Sequence, residues 1–487
     1  MAPVVFCATP RPEVSSGRHP VFCGNCGRYR GSGACSCVPA RFWRIPQVRR
    51  AAAEGDANAL IRLLLRHTDL AQDAIARMCD LSQTMVSRVL SGQRELRRQE
   101  TVRRVVEGIT HGYDIPSPAL ERVPPELGLA LNGSPQKTAE VLGQVAGVDV
   151  EDVPGVKEQP PASAVSSAVL SWLVSGPTSG GAEAHVAEGP VAAIRSASAT
   201  FSALDNRFGG DNARAAAVHY LNGTVVPLLR ESHAEKVGRA LFAVSAEFVL
   251  SLAWMSYDAQ RNGAARRYFV QALDLAAHAG DRLLGASVLS AMSHQANYVG
   301  THAEARDLAR AALSGAGERA TQTMRAQFLM MEARAHAAGQ DKSACFRAMS
   351  EAERAFGRRD PGADPGWIGY FDHAEYSDEV AHCHRDLGHA HVARRLAEQS
   401  LASSVGEEYA RSRVFTRLVL AAAVLGQGEV EEACHLGSVV LPQVRATSSA
   451  RCVGYLDAFA RSVRPYRGQP TADRFLNQAR AVVSAAQ

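Results

Sequence analysis

Residues 69–94 read DLAQDAIARMCDLSQTMVSRVLSGQR, and this stretch decides the fold of the N-terminal part of the chain. Ile75, Ala76 and Cys79, then Leu81, Val86 and Val89, recur at the spacing of two short helices that bury one face against each other. Ala76 is small enough to let the helices cross closely. Asp80 falls where the turn between them needs a left-handed residue, a conformation that Asp tolerates better than most. Ser82 is a good N-cap for the second helix. Gln83, Thr84, Ser87 and Arg88 are then left on one outward face, at i, i+1, i+4 and i+5. Short hydrogen-bonding side chains and one Arg on the free face of a helix suit base edges in a DNA major groove. An ordinary buried helical hairpin has the same inside pattern and is the other reading.

Over these 26 residues the segment resembles the helix-turn-helix of the phage-repressor-like (XRE) regulators. Charge points the same way. Residues 1–112 hold 17 Arg, no Lys and 9 acidic residues, a net of +8, whereas the remaining 36 basic and 40 acidic residues leave −4. The positive excess lies with the motif, as neutralisation of phosphates requires. Flanking it, Ala57–Arg66 reads as a first helix with Leu60, Leu63 and Leu64 inward. Gly92 reads as a helix stop. Glu100–Ile109 reads as a further helix on Val102, Val105, Val106 and Ile109. The expectation is a DNA-binding domain over 50–113, with Gln83, Thr84, Ser87 and Arg88 on bases and Gln72, Arg94 and Ser82 on phosphates.

A chain of 487 residues is too long for one compact domain. Frequent alanine and only 6% aromatic residues favour closely packed helices. No run of eighteen apolar residues and no signal-peptide pattern is present, which leads to a cytoplasmic, nucleoid-associated expectation. In that compartment clustered cysteines suggest metal rather than disulfides. Cys23, Cys26, Cys35 and Cys37 form C-x2-C-x8-C-x-C inside a basic leader over 1–45. The CGNCG half has the shape of a zinc knuckle, which predicts one structural zinc on four thiolates. The C-x-C half is tighter than usual, and a Cys/Gly-rich leader with redox-labile thiols is the second reading.

Residues 114–200 carry ten prolines and read as a Pro/Gly/Ser-rich linker, with short helices near Leu127–Leu131 and Ala164–Leu173. From about 201 to 487 the sequence is helical and repetitive. Ala265-x3-Phe269-x2-Ala272 recurs at Ala305, Ala344, Ala393 and Ala433, in steps of 40, 39, 49 and 40. Gly263, Gly300, Gly339, Gly388 and Gly428 precede these sites, where they permit a turn. The long step holds an insertion at Arg358–Trp367. Such a pattern predicts stacked helical hairpins of tetratricopeptide-like type; an irregular helical bundle is the alternative.

Three stretches carry a more specific likeness: FSALDNRFGGDNARAAAVHYL (201–221), the residues from Leu252 to Gly300, and WIGYFDHAEYSDEVAHCHRDLG (367–388). They resemble the regulatory domain of a large actinobacterial family that joins an XRE-type helix-turn-helix to tetratricopeptide-like repeats. The resemblance implies an all-α transcriptional regulator, similar in architecture to peptide-sensing quorum regulators whose repeats bind a signal and help dimerise. Candidate contacts for a peptide, small-molecule or protein ligand are Tyr257, His294, Asn297 and Tyr298, on the first helices of their hairpins. Glu375, Glu379 and His382 share one helix face, but a di-iron bundle needs a second Glu-x-x-His pair. No P-loop, HExxH or GxSxG motif is present. The reading is therefore a homodimeric, non-enzymatic regulator of double-stranded DNA. A protein-interaction adaptor that uses its repeats without DNA is the competing class.

Overall fold

The computed structural model describes residues 38–96 apart from 40, 54–55 and 80, then five positions between 101 and 109. It further describes 122–175, 189–404 apart from 209, and 406–485 apart from 407–409 and 448. All regular structure among them is helical. The chain divides into two compact units, Met1–Glu121 and Arg122–Gln487.

The first unit is built on four short helices: α1 (Pro46–Ala53), α2 (Ala57–His67), α3 (Gln72–Cys79) and α4 (Gln83–Leu90). In α2 the residues Ala57, Leu60, Ile61 and Leu64 fall at i, i+3, i+4 and i+7, so one stripe is apolar and is buried. Asp56 caps that helix by accepting from the Ala59 amide at 2.9 Å. α4 packs on both α2 and α3. Residues 101, 102, 105, 106 and 109 are helical, and Val105 and Ile109 join the same core. The domain also begins earlier than the expected residue 50. Val38, Phe42, Trp43 and Val48 are buried in this core, with the two rings edge to face at 5.0 Å. Helices this short bury little surface, and the aromatic pair from the expected leader supplies what they lack.

From residue 235 the described helices of the second unit come in six pairs: α10 (Glu235–Asp258) with α11 (Asn262–Ala279), α12 (Arg282–Tyr298) with α13 (His302–Ala316), and α14 (Gln322–Ala338) with α15 (Lys342–Phe356). The remaining pairs are α16 (His373–Asp386) with α17 (Ala390–Ser403), α18 (Ala410–Gly426) with α19 (Val430–Ala446), and α20 (Ala450–Val463) with α21 (Pro470–Ala485). In every pair one residue of the connection has positive φ: Gln260, Gly300, Gln340, Gly388, Gly428 and Gly468. These positions are 40 apart, except for one step of 48 that contains the insertion. Two turn glycines expected from sequence are thereby corrected. Gly339 is not left-handed; Gln340 beside it is. Gly263 lies inside α11, where its missing Cβ makes room for Glu158 O at 2.0 Å from the ideal Cβ position. The recurrent small residues of the second helices, among them Ala265, Ala305, Ala309, Ala393 and Ala433, are fully buried, as close approach requires.

The expected linker over 114–200 is corrected in part: the short helix expected at Ala164–Leu173 is present, the one near Leu127–Leu131 is a turn, and a helix stands at Pro135–Val150 where none was expected. Its described part forms α5 (Pro135–Val150), α6 (Ser163–Val174) and the start of α7 (Pro190–Phe208), followed by α8 (Gly210–Tyr220), a π turn, and α9 (Val226–Arg230). These helices share one core with α10–α15. Buried Asp149 of α5 pairs with Arg214 at 2.6 Å and Arg261 at 2.9 Å, and accepts from Tyr268 Oη at 2.9 Å. Trp172 of α6 is fully buried in a notch made by Gly285 and Gly315. Proline-rich connections hid this segment in the sequence, because its anchoring groups lie 65 to 119 residues away. α10 is the one described helix long and apolar enough to cross a membrane, and 67% of its apolar window is buried inside this unit.

Candidate functional site

The first unit presents one polar helix face. Val86 and Val89 of α4 point into the core, and Gln83, Thr84, Ser87 and Arg88 are exposed on the other side. Ser82 caps α4, its Oγ accepting from the Met85 amide at 3.2 Å. Gly92, at φ +73°, turns the chain, and the Arg94 amide donates to Arg88 O at 3.1 Å. Arg94 is therefore brought beside the end of α4, and it is exposed. Among the described residues no carboxylate pairs with Arg88 or Arg94. Gln72 is half-buried at the start of α3. Six of the expected polar contacts, Ser82, Gln83, Thr84, Ser87, Arg88 and Arg94, thus lie on or beside one helix. Leu81 is only half-buried, although the other five expected core positions are buried. Asp80 and the cluster of Cys23, Cys26, Cys35 and Cys37 lie outside the described residues. Asn58 had no signal in the sequence reading: its side chain exchanges two hydrogen bonds with the Leu96 backbone, at 2.9 and 3.3 Å, and ties the segment after α4 to α2.

In the second unit the first helices of all six pairs, together with α7 and the connection before α16, line one cavity of about 870 Å³. The pairs close on themselves: α20 of the last pair touches α10 of the first. Asp258, at the end of α10, joins the ends. It accepts from Ser449 Oγ at 2.9 Å and lies 3.4 Å from Arg411 and 4.0 Å from Arg451. Arg411 also pairs with Asp205 of α7 at 2.8 Å. Arg451 lies over the rings of Tyr257 and Phe415, at 4.3 and 4.7 Å.

The wall between α14 and α16 is unusually charged. Arg334 forms a buried ion pair with Glu379. Glu375 and Asp378 face the same cavity. Burial, reinforced by the neighbouring Glu379 and Asp378 charges, pushes the Glu375 carboxyl well above its ordinary value. Burial pushes Asp378 up to about 6, partly countered by Arg334. Burial and the surrounding arginines hold His294 and His382 well below their ordinary values, so both imidazoles are neutral at pH 7.

Of the four residues expected to contact a ligand, only His294 lines this cavity. Tyr257 is wholly buried behind it and meets His294 Nδ1 at 3.2 Å. Asn297 pairs with His302 Nδ1 at 2.9 Å, at the turn into α13. Tyr298 stacks on Tyr455 with centroids 6.0 Å apart. A helical residue reaches the cavity only if its face turns inward, and three of these four lie on packing faces. Arg385 and Asp386 form an ion pair at the end of α16, at 2.6 Å. No protein-family model matches this chain, and no curated protein matches it.

Proposed function

We propose that this chain is a sequence-specific DNA-binding transcriptional regulator. The first unit acts as an XRE-type helix-turn-helix, with α4 as its reading helix. The second is a tetratricopeptide-like domain that binds a signal and supports a homodimer. One observation carries the DNA reading: α4 buries Val86 and Val89 while its exposed face consists of Gln83, Thr84, Ser87 and Arg88. Arg and Gln at such positions pair bidentately with guanine and adenine. Arg94, beside the end of α4, reaches a phosphate, and the +8 balance of residues 1–112 supplies the salt-dependent term. A single reading helix covers few base pairs, so a dimer on an inverted repeat about one helical turn apart is the expected complex. The 40-residue recurrence of paired helices supports the repeat reading, and the cavity lined only by first helices and their neighbours supports ligand binding there.

The test is to sequence genomic DNA bound by the tagged protein, beside a Gln83→Ala, Arg88→Ala variant. Sharp sites sharing a palindrome and lost in the variant are expected. Equal enrichment by both forms would overturn the assignment and favour the adaptor class.

A further inference from the structure

Every inward helix of the second unit contributes to the cavity, yet its charges do not cancel. Arg334 is taken by Glu379, Arg411 by Asp205 and Asp258, and Arg451 lies against Asp258 and two aromatic rings. Arg195 lies near Glu247, across α7 and α10. Glu375 and Asp378 remain: among the described residues neither pairs with a Lys or Arg. Among the described residues the ionisable side chain within ion-pair distance of Asp378 is His382, at 3.5 Å, whose imidazole is neutral at pH 7.

The same region is aromatic. Trp367, at the end of the insertion, and Tyr370 and Phe371, which follow it in the connection before α16, line the cavity with the two carboxyls. Tyr370 is 49% exposed and is among the residues that line the cavity. His382 lines the same wall at 3% exposure, and its Nδ1 has no hydrogen-bond partner among the described residues. Two carboxyls that no Lys or Arg among the described residues pairs with directly, a partly exposed tyrosine and an unpartnered imidazole nitrogen thus share one wall.

We propose that this cavity binds a small organic cation, an amine or guanidine held by Glu375 and Asp378 and flanked by the Trp367 and Tyr370 rings. Carboxylates neutralise the ammonium or guanidinium, and aromatic faces attract it through their quadrupoles. About 870 Å³ is within the usual range for small-molecule sites, roughly 300–1,000 Å³, and too small for a folded partner. The proposal deepens the reading of this unit as a signal-binding domain. It also gives the insertion a role, as the aromatic wall that the regular 40-residue repeat lacks.

The groups facing the two carboxyls are Arg334 of α14, Tyr370 and Asp372 of the connection before α16, Glu379, His382 and Arg385 of α16, and Thr416 of α18. A cation binds the ionised carboxylates, so affinity rises with pH as the proton on Asp378 is lost.

Thermal shift and calorimetric titration of the full chain with spermidine, agmatine and choline, against citrate and inorganic phosphate at equal ionic strength, test this. At least one cation is expected to stabilise saturably, with affinity falling tenfold or more in Glu375→Gln and Asp378→Asn, and about fourfold at pH 5.5 compared with pH 8. Tyr370→Ala, at a half-exposed residue of the cavity wall, serves where the carboxyl variants fail to fold, and is expected to weaken the same cation at least threefold. Stabilisation by the anions alone, by no probe, or equally in all variants would overturn the proposal. DNA binding is read separately with the Arg88→Ala variant. Loss of the cation site with intact operator binding sinks only this inference, and a cation site without operator binding sinks only the regulator reading.

Discussion

At the scale of single residues, two side chains carry the clearest expectations. Arg88 projects from the exposed face of α4, and Arg88→Ala is expected to cost about 1–3 kcal/mol at specific sites while leaving nonspecific binding nearly unchanged. Competition footprinting over a salt series checks it; equal losses on specific and random DNA would place Arg88 on phosphate instead. Asp378 makes a prediction about pH. Its carboxyl titrates near 6 in the folded chain, above the ordinary 3.8, so ionising it penalises the folded state above pH 6. That penalty fades as pH falls through 6 and is absent below about 4. Asp378→Asn is therefore expected to be more stable than the parent by about 1–3 kcal/mol at pH 8, with no gain at pH 4. Urea unfolding at both pH values measures the difference, and an equal gain at both would show that the carboxyl is not strained. The exposed face of α4 was legible in the sequence because inside and outside on a short helix follow from local spacing. Asp378 was not: it sits between Glu375 and Glu379, which the sequence does bring together, but nothing local says that this face looks into a cavity.

Among elements, glycine separates two causes. Gly300 connects α12 to α13 at φ +87° with open space around its missing Cβ, so Gly300→Ala is expected to cost only backbone strain, roughly 1–2 kcal/mol. Gly315 of α13 has negative φ, but a Cβ there would stand 2.1 Å from the Trp172 ring. Gly315→Ala is expected to cost about 1–3 kcal/mol through overpacking. Combined with Trp172→Ala it should cost less than the two changes summed, whereas Gly300→Ala and Trp172→Ala should add. Thermal unfolding of the double-mutant cycles decides; additivity in both would mean that α6 does not seat in the notch. Turn glycines announce themselves by period, which is why Gly300, Gly388 and Gly428 were readable. Gly315 and Gly285 are defined by an indole more than a hundred residues upstream, in a segment whose prolines suggested a linker.

For the second unit as a whole, closure depends on Asp258. Asp258→Ala removes the acceptor for Ser449 and a counter-ion of Arg411 and Arg451, all buried or nearly so. Breaking a buried pair typically costs about 3–5 kcal/mol. The expected result is local: faster amide exchange in α18–α21, with α12–α15 protected as before. Uniform acceleration through all six pairs would instead mean that closure and folding are one event. The sequence by itself determined what depends on near neighbours. Hydrophobic period, caps and the spacing of small residues specify an all-α chain, a short helix pair with a polar outer face, and hairpins recurring about every 40 residues, with one insertion. Only the tertiary structure decided what depends on distant partners. It moved 122–175 from linker to core through Asp149 and Trp172, and it brought Asp258 to the last pair. It also turned Glu375, Asp378 and the insertion's aromatic residues onto one wall. Local spacing sets which side of a helix is apolar; where that side points is set by packing against helices distant in sequence, which no window of sequence contains.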